Sequence, residues 1–365
     1  MTTRLLALTL LTTAISAQNP INLTPWTAES SQAVSGFPNG TWVTAQGGGS
    51  VTQTANGQPT IFYSDFELYS LRIEGQITVT GSDDDYVGFV LGFRPGDSTN
   101  ANADYLLLDW KRGTQSYNFG APSCTPGSTA QRGLALSRVA GMPTADEFWG
   151  HVNLDLAPCS TANDRVTELQ RGATLGATSW VRNQTYTFRI DYTPTRVTVH
   201  VDGILEIDVV GTFGNGRMGF YNFSQGGVVY NAFTSDSVAS WSNYGTGWPG
   251  TAGVPALVAS ALPTLGTLLD LELTSAAPTT QIGLLVLGLQ AADAPTPFGG
   301  SLLVDFTTSE ALLAPVAPSR FVRPLQIPLS TVYLGLVVYS QFVHFDPAAS
   351  HGIAFSRGLA VAIGN

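Results

Sequence analysis

The sequence predicts an all-β protein built from two consecutive sandwich domains. Many short runs alternate apolar and polar residues, which is typical of strands that bury one face. The chain of 365 residues also contains 39 glycines and 21 prolines, which suits short strands joined by many turns. With 44% hydrophobic residues it can fill two cores. No long segment repeats apolar residues at helical spacing, and only residues 161–169 are predicted as a short helix.

Strands are clearest in the first half of the chain. Apolar residues occupy every second position in residues 71–80, 87–93 and 186–192. Residues 197–201 and 205–209 repeat the pattern on either side of Asp202-Gly203. Because Asp-Gly favours the tight two-residue turn, these two runs are predicted to form a hairpin.

A change of composition divides the chain. Residues 241–253 are rich in turn-forming residues and are interpreted as a linker between a first domain, 18–240, and a second, 254–365. The second domain is nearly free of basic residues, and its size of roughly 110 residues is ordinary for a domain. It is predicted to be a smaller β-sandwich with strand-like runs at Leu268–Leu273, Ile282–Leu289, Leu302–Phe306, Val332–Phe345 and Ile353–Ile363.

The amino-terminal residues predict export. Residues 1–17 combine Arg4, a short apolar run and small residues at the predicted cleavage site, as a signal peptide does. No later segment has eighteen uninterrupted apolar residues, so no membrane insertion is expected. We therefore expect a secreted protein that is extracellular or associated with the cell surface. In an exported chain the two cysteines, Cys124 and Cys159, favour a disulfide over two free thiols.

The charge pattern excludes one class of partner. The net charge is −10, and the basic residues are scattered rather than clustered. Nucleic-acid binding needs a positive stripe to neutralise phosphates, so a nucleic-acid partner is not expected.

Three separated blocks resemble one known family. The segments 83–93 (DDDYVGFVLGF), 109–117 (DWKRGTQSY) and 216–225 (GRMGFYNFSQ) resemble the thrombospondin C-terminal lectin-like domain, and they occur in that family's order. The resemblance covers about residues 25–237. It implies a concanavalin-like jelly roll, with two packed antiparallel sheets and loops at the rim.

The same resemblance implies that calcium is bound. Two segments depart from the family's pattern, and they affect which partner can be inferred. Residues 95–104 and 121–165 depart from the family's pattern in predicted loops, where binding specificity usually lies. The family's partners therefore do not carry over directly. Residues 248–365 are similar to a β-rich tail domain of secreted bacterial proteins.

Four carboxylates are candidate metal ligands. Asp83, Asp84 and Asp85 precede a predicted strand, and adjacent carboxylates repel each other unless a positive charge lies near. Calcium, which takes six to eight oxygen ligands, is the expected cofactor, and Asp109 is a fourth candidate ligand. The alternative is a solvated acidic turn paired with Arg94 or Lys111. For Asp109 the simpler interpretation is an ion pair with Lys111, two residues further along the same strand face.

Catalysis is not predicted. Glu206-Ile-Asp208 resembles the Glu-x-Asp-x-x-Glu strand of jelly-roll β-glucanases, but Gly211 stands where the second glutamate is needed. We therefore interpret Glu206 and Asp208 as the outward face of a hairpin strand. Aromatic residues that could stack on sugars are more often core residues in sandwiches; they are Trp110, Trp149, Trp180, Tyr221 and Trp241.

The hypothesis with most support is a secreted, calcium-dependent adhesion or carbohydrate- or matrix-binding protein without catalytic activity. Its partner would be an extracellular glycan or a matrix or surface protein. Two alternatives remain open: a glycan hydrolase or lyase on a concanavalin-like fold, and a structural component of an envelope or matrix. The missing glucanase carboxylate argues against the first alternative, and the weakly charged tail favours the second.

Overall fold

A computed structural model describes residues 18–31, 33–120, 127–151, 165–274, 281–316 and 320–365. The predicted signal peptide and both cysteines lie outside these residues, so export and the Cys124–Cys159 disulfide stay predictions. No helix in the described part of the chain has the length and apolar character needed to cross a membrane.

Within the residues that the structure describes, the first domain is all-β apart from a short helix, α1 (Ala145–Gly150), and 3-10 structure at Asp97–Thr99 and at His151. Its strands are β1 Asn19–Pro20, β2 Thr27–Ser30, β3 Trp42–Thr44, β4 Ser50–Gln53, β5 Thr60–Glu67, β6 Leu71–Val79, β7 Tyr86–Phe93, β8 Asp104–Lys111, β9 Gln115–Tyr117, β10 Ser128–Ala130, β11 Gly133–Ala140, β12 Val166–Arg171, β13 Thr185–Tyr192, β14 Arg196–Val201, β15 Ile204–Val210, β16 Arg217–Phe223 and β17 Val228–Ser237.

Two antiparallel sheets form the predicted jelly-roll sandwich. The front sheet has the order β15-β14-β13-β6-β17-β4-β3, with β1 also paired to β17. The back sheet has the order β12-β11-β8-β7-β16-β5-β2. The two sheets share one core, in which Phe220 of the back sheet stacks on Tyr230 of the front sheet with ring centroids 4.3 Å apart.

The back sheet is covered on both faces. Alternation in β7 sends Val87 and Phe89 into the core between the sheets, while Tyr86 and Val90 enter a second apolar cluster. Helix α1 contributes Phe148 and Trp149 to that second cluster. Side chains at the start of β7 therefore lie in a buried, low-dielectric layer, which decides how charges there behave.

The Asp202-Gly203 hairpin is present, and one helix prediction is wrong. Asp202 and Gly203 have φ values of 49° and 82°, as a two-residue hairpin turn requires. Of residues 161–169, predicted as a short helix, 161–164 lie outside the described residues, and 166–169 belong to β12, which pairs with β11. The helix α1 was not predicted, although Thr144 and Glu147 form a capping box at its start.

The second domain is also a sandwich. Its strands are β18 Ser240–Tyr244, β19 Ala256–Ala259, β20 Leu268–Thr274, β21 Gln281–Gly288, β22 Ala291–Pro295, β23 Ser301–Val304, β24 Glu310–Val316, β25 Arg320–Gln326, β26 Val337–Phe345, β27 Ile353–Phe355 and β28 Gly358–Ala362. The strands β22 and β23 form a two-stranded sheet, and the two larger sheets have the orders β18-β28-β26-β21-β24 and β19-β20-β25. Side chains of both sheets meet in a single core, including Leu271, Phe342 and Val361.

The junction between the domains is short and hydrogen-bonded. The predicted linker, 241–253, begins inside β18, which pairs with β28. The Ser70 and Ser240 hydroxyls lie 2.5 Å apart, and the Asn365 amide donates to the Ser237 carbonyl at 3.0 Å. The second domain is therefore anchored to the end of the front sheet. The division of the chain at residues 240 and 254 stays a proposal.

Candidate functional site

An acidic cluster, Asp83–Asp85, lies at the rim of the sandwich where the chain enters β7. One carboxylate oxygen from each residue lies within 4.8 Å of the others. Asp83 and Asp84 are partly exposed, whereas Asp85 is buried. The Asp84 amide donates to Asp83 Oδ1 at 3.0 Å, and the Asn56 side-chain amide donates to Asp83 Oδ2 at 2.5 Å. The cluster thus offers carboxylate oxygens to solvent from an ordered turn.

Lys111 lies fully buried beneath this cluster. Its ammonium group donates to the Asp85 carboxylate, to the Asp84 carbonyl at 3.1 Å and to Gln115 Oε1 at 3.2 Å. It also lies 4.6 Å from the centre of the Trp149 ring, within cation–π range. Burial raises the pKa of Asp85 to about 6, although Lys111 opposes that rise. Counted with their formal charges, the three carboxylates and the one ammonium group give the cluster a net charge of −2.

Asp109 lies apart from the acidic cluster. Its carboxylate Oδ2 is 3.0 Å from His151 Nε2, and His151 Nδ1 is 3.1 Å from Glu168 Oε1. The predicted ion pair between Asp109 and Lys111 is wrong. The strand register explains why: Lys111 lies opposite Tyr86, next to Asp85, whereas Asp109 lies opposite Gly88 and faces His151.

His151 joins two acidic side chains in the buried layer of the back sheet. Burial lowers the pKa of His151, but the Asp109 and Glu168 carboxylates outweigh it and raise the pKa to about 9. Burial also raises the pKa of Glu168, yet its bonds to His151 and Arg171 lower it to about 2. His151 has φ 52° and ψ −134°, a strained conformation held within this ionic network. Sequence reasoning missed the network, since its members are far apart in the chain.

Two basic residues, Lys111 and Arg94, were the candidates to compensate the negative charge of the acidic cluster. Lys111 pairs with the cluster, as one alternative predicted. Arg94 does not, because its amide donates to Asp97 Oδ2 at 2.9 Å and its guanidinium to the Asn215 carbonyl at 3.4 Å.

Glu206 is engaged in a structural role. It is buried, and its carboxylate accepts hydrogen bonds from the Thr174 amide at 2.8 Å, the Thr174 hydroxyl at 2.5 Å and the Leu175 amide at 3.0 Å. The interpretation of Glu206 as outward-facing is therefore wrong, because a loop folds over β15 and covers it. Asp208 is exposed, as predicted for the outward face, and forms an ion pair with Arg196 at 2.7 Å.

The candidate sugar-stacking aromatics divide into two groups. Trp110, Trp149 and Trp180 are buried, and Tyr221 is completely inaccessible. Trp241 on β18 is partly exposed while its indole also packs against the core of the second domain. Of these five residues, Trp241 alone is partly exposed.

The rim turn, the back-sheet blocks and the hairpin between them all lie inside one sequence match. A sequence model of the thrombospondin C-terminal region matches residues 38–237, which is 200 of the 365 residues. The chain belongs to this family. Thrombospondin-3b of Danio rerio is 25% identical to it over 199 residues, which cover 52% of this chain and 20% of that protein. Thrombospondin-2 of Mus musculus is 28% identical over 200 residues, which cover 52% and 16%. The match to the thrombospondins thus spans a fifth or less of their length.

Solved structures give weaker similarities to this thrombospondin C-terminal family member. The carbohydrate binding module CBM66 from Bacillus subtilis is 14% identical with a TM-score of 0.36, covering 56% of this chain and 97% of that one. An endo-beta-1,3-glucanase from Pyrococcus furiosus is 10% identical with a TM-score of 0.29, covering 58% and 89%. TM-scores this low do not indicate a function.

Proposed function

We propose that this protein is exported and binds an extracellular glycan or matrix protein through its first domain, without catalysing a reaction. The observation that carries the proposal is the thrombospondin C-terminal match over residues 38–237. The relatives that share this region are named thrombospondins, and the first domain is a sandwich with loops at its rim. The amino-terminal signal pattern supports a location outside the cell or at its surface.

The contacts of Glu206 and Asp208 on the glucanase-like strand support the proposal that the protein is not a catalyst. Retaining hydrolysis needs two carboxyl groups about 5 Å apart, one on each side of the scissile bond. Glu206 is held by a loop and Asp208 by Arg196, and residue 211 is glycine. Both carboxylates are therefore engaged in other contacts, and the second catalytic carboxylate is missing at residue 211, where the β-glucanase pattern requires it.

We also propose that Asp83 and Asp84 hold a calcium ion that orders the rim. Carboxylate oxygens are the ligands that calcium prefers, and the residual charge of −2 on the cluster matches a divalent cation. Lys111 hydrogen-bonds to the Asp85 carboxylate and lies further, 3.7 Å, from Asp84 Oδ1, so the two partly exposed carboxylates of Asp83 and Asp84 would supply the protein ligands. Water would complete the shell of six to eight oxygens.

Thermal unfolding of the full exported chain tests the calcium proposal. An ion that binds only the folded state stabilises it by RT ln(1 + [L]/Kd), about 2.7 kcal/mol at a hundred times Kd. We expect calcium to raise the melting temperature by several degrees, and the double variant Asp83→Asn/Asp84→Asn to lose that rise. Asp104→Asn, an exposed carboxylate paired with Arg138, is the matched control. An unmutated chain that melts at the same temperature in calcium and in chelator would refute the site.

Binding arrays test the main proposal. The exported chain should bind a subset of extracellular glycans or matrix proteins. The arrays are run once in calcium and once in chelator, and the difference in binding between the two conditions measures the calcium dependence. A chain that binds neither class in either condition would contradict the binding role and favour a structural component of an envelope or matrix.

A further inference from the structure

A groove separates the front sheet of the first domain from β18 of the second. Its volume is about 840 Å³, which lies within the usual range for small-molecule sites, about 300–1,000 Å³. One wall is formed by β13, β14 and the turn between them, and the other by residues 238–244. The groove is distinct from the acidic cluster, since none of Asp83, Asp84 and Asp85 lines it.

The groove combines an aromatic ring with hydroxyl groups. Trp241 lines it and is partly exposed, and an indole is a flat apolar group on which the C–H face of a sugar ring can pack. Thr193 and Thr198 line the opposite wall, and Tyr69 lies nearby. A mixed lining of this kind suits a ligand with alternating apolar and hydroxyl surfaces.

One cation in the groove lacks a carboxylate partner. The Arg357 guanidinium donates to two main-chain carbonyls, Gly245 at 3.0 Å and Asn243 at 3.3 Å, and it forms no ion pair with any carboxylate among the described residues. The other charges of the lining are neutralised, since Asp191 pairs with Arg72 at 2.7 Å and Arg196 with Asp208. Arg357 is therefore a fixed positive charge, while the chain as a whole carries −10.

The groove is held in shape by its surroundings. The Ser70–Ser240 hydrogen bond fixes the start of β18, and the two carbonyls that hold Arg357 belong to Asn243 near the end of that strand and to Gly245 directly after it. A preformed site avoids the ordering cost that a ligand would otherwise meet on binding.

We infer that this groove binds an acidic saccharide, with a sugar ring on Trp241 and a carboxylate or sulfate group on Arg357. The inference rests on the proposed function, for which it supplies a site and a ligand class. It places the binding site at the domain junction rather than at the acidic rim. Guanidinium groups bind carboxylates and sulfates through paired N–H donors, which gives the site its preference for charged over neutral sugars.

Calorimetry on the full exported chain tests this inference with three trisaccharides: galacturonate, neutral galactose and sulfated galactose. We expect an acidic trimer to bind about tenfold more tightly than the neutral one, as a charged hydrogen bond predicts. Comparison of the two acidic trimers identifies whether the carboxylate or the sulfate is preferred. Arg357→Gln should reduce the affinity for the acidic trimers to that for the neutral trimer. Arg323→Gln, an exposed arginine of β25 outside the groove, is the matched control and should change nothing.

Two further variants test the groove itself. Trp241→Leu should weaken binding of all trimers, and its melting temperature shows whether it folds. Thr212→Trp adds bulk at an exposed lining residue and should block binding even if Trp241→Leu is unfolded. Glycan binding that is unchanged in both Thr212→Trp and Arg357→Gln would show that the glycan does not bind in the groove, and it would still agree with the proposed function. Equal affinity of the wild type for acidic and neutral trimers would refute the role of Arg357, and a wild type that binds no glycan at all would overturn the inference outright.

Discussion

Lys111 is the one lysine of the chain, and it is buried beneath the acidic cluster. The run Asp83–Asp85 was identifiable from the sequence, because three adjacent carboxylates need a compensating charge. Whether Lys111 or Arg94 supplies this charge depends on the register of β7 against β8. Residue spacing along one strand does not reveal that register. The His151 network was not predictable for the same reason, since Asp109 and Glu168 approach His151 only after the sheet has formed.

Replacement of Lys111 by methionine should destabilise the protein strongly. The change leaves the buried Asp85 carboxylate without its partner, and breaking a buried ion pair costs about 3–5 kcal/mol. Urea unfolding measures the loss, and adding Asp85→Asn should recover part of it. Arg138→Met, which breaks an exposed pair with Asp104, is the matched control and should cost about 0–1 kcal/mol. Equal losses for both variants would show that Lys111 is not a buried structural charge.

The His151 network should make stability depend on pH. A pKa raised to about 9 in the folded state means that His151 contributes its full stabilisation below its unfolded pKa of about 6.5. That contribution is lost as the pH rises from about 6.5 through 9. Urea unfolding of the wild type and of His151→Gln should therefore differ most near pH 6 and least near pH 9.5. A difference that stays constant over this range would contradict an imidazolium between Asp109 and Glu168.

Strands were more predictable than the loops that cover them. Alternating residues and the Asp202-Gly203 turn located β6, β7, β13, β14 and β15, because period-two burial is a local property. The back sheet acquires a second buried face from α1, and no pattern within β7 shows that cover in advance. The capping box of Thr144 and Glu147 was a local signal for α1 that could have been used.

The loop over β15 should depend on Glu206. Its carboxylate accepts three hydrogen bonds from Thr174 and Leu175, and Gln would replace one accepting oxygen with a donor. We expect Glu206→Gln to cost about 1–3 kcal/mol in urea unfolding, the usual range for bonds to a charged group or a buried group left unpaired. Asp208→Asn on the same strand, whose exposed partner is Arg196, should cost much less. Similar stability of both variants would remove the structural role of Glu206.

At the scale of the whole molecule, the two sandwiches followed from composition and periodicity, and their junction did not. The segment 241–253 has the composition of a linker, yet its first residues complete a sheet whose last strand, β28, comes from the end of the chain. A pairing over more than a hundred residues leaves no local signal. The groove formed at this junction was not predictable either, although the sequence indicates Trp241 as a candidate sugar-stacking residue.

The central claim is that the protein binds its ligand without transforming it. The most direct measurement incubates the exported chain with each glycan that it binds, recovers the glycan, and assays it for new reducing ends and for unsaturated products of lyase cleavage. We predict saturable binding and recovery of the glycan intact, because neither Glu206 nor Asp208 is free to act on a substrate. Turnover of a bound glycan that disappears in Glu206→Gln, while the variant still folds and binds, would contradict the account.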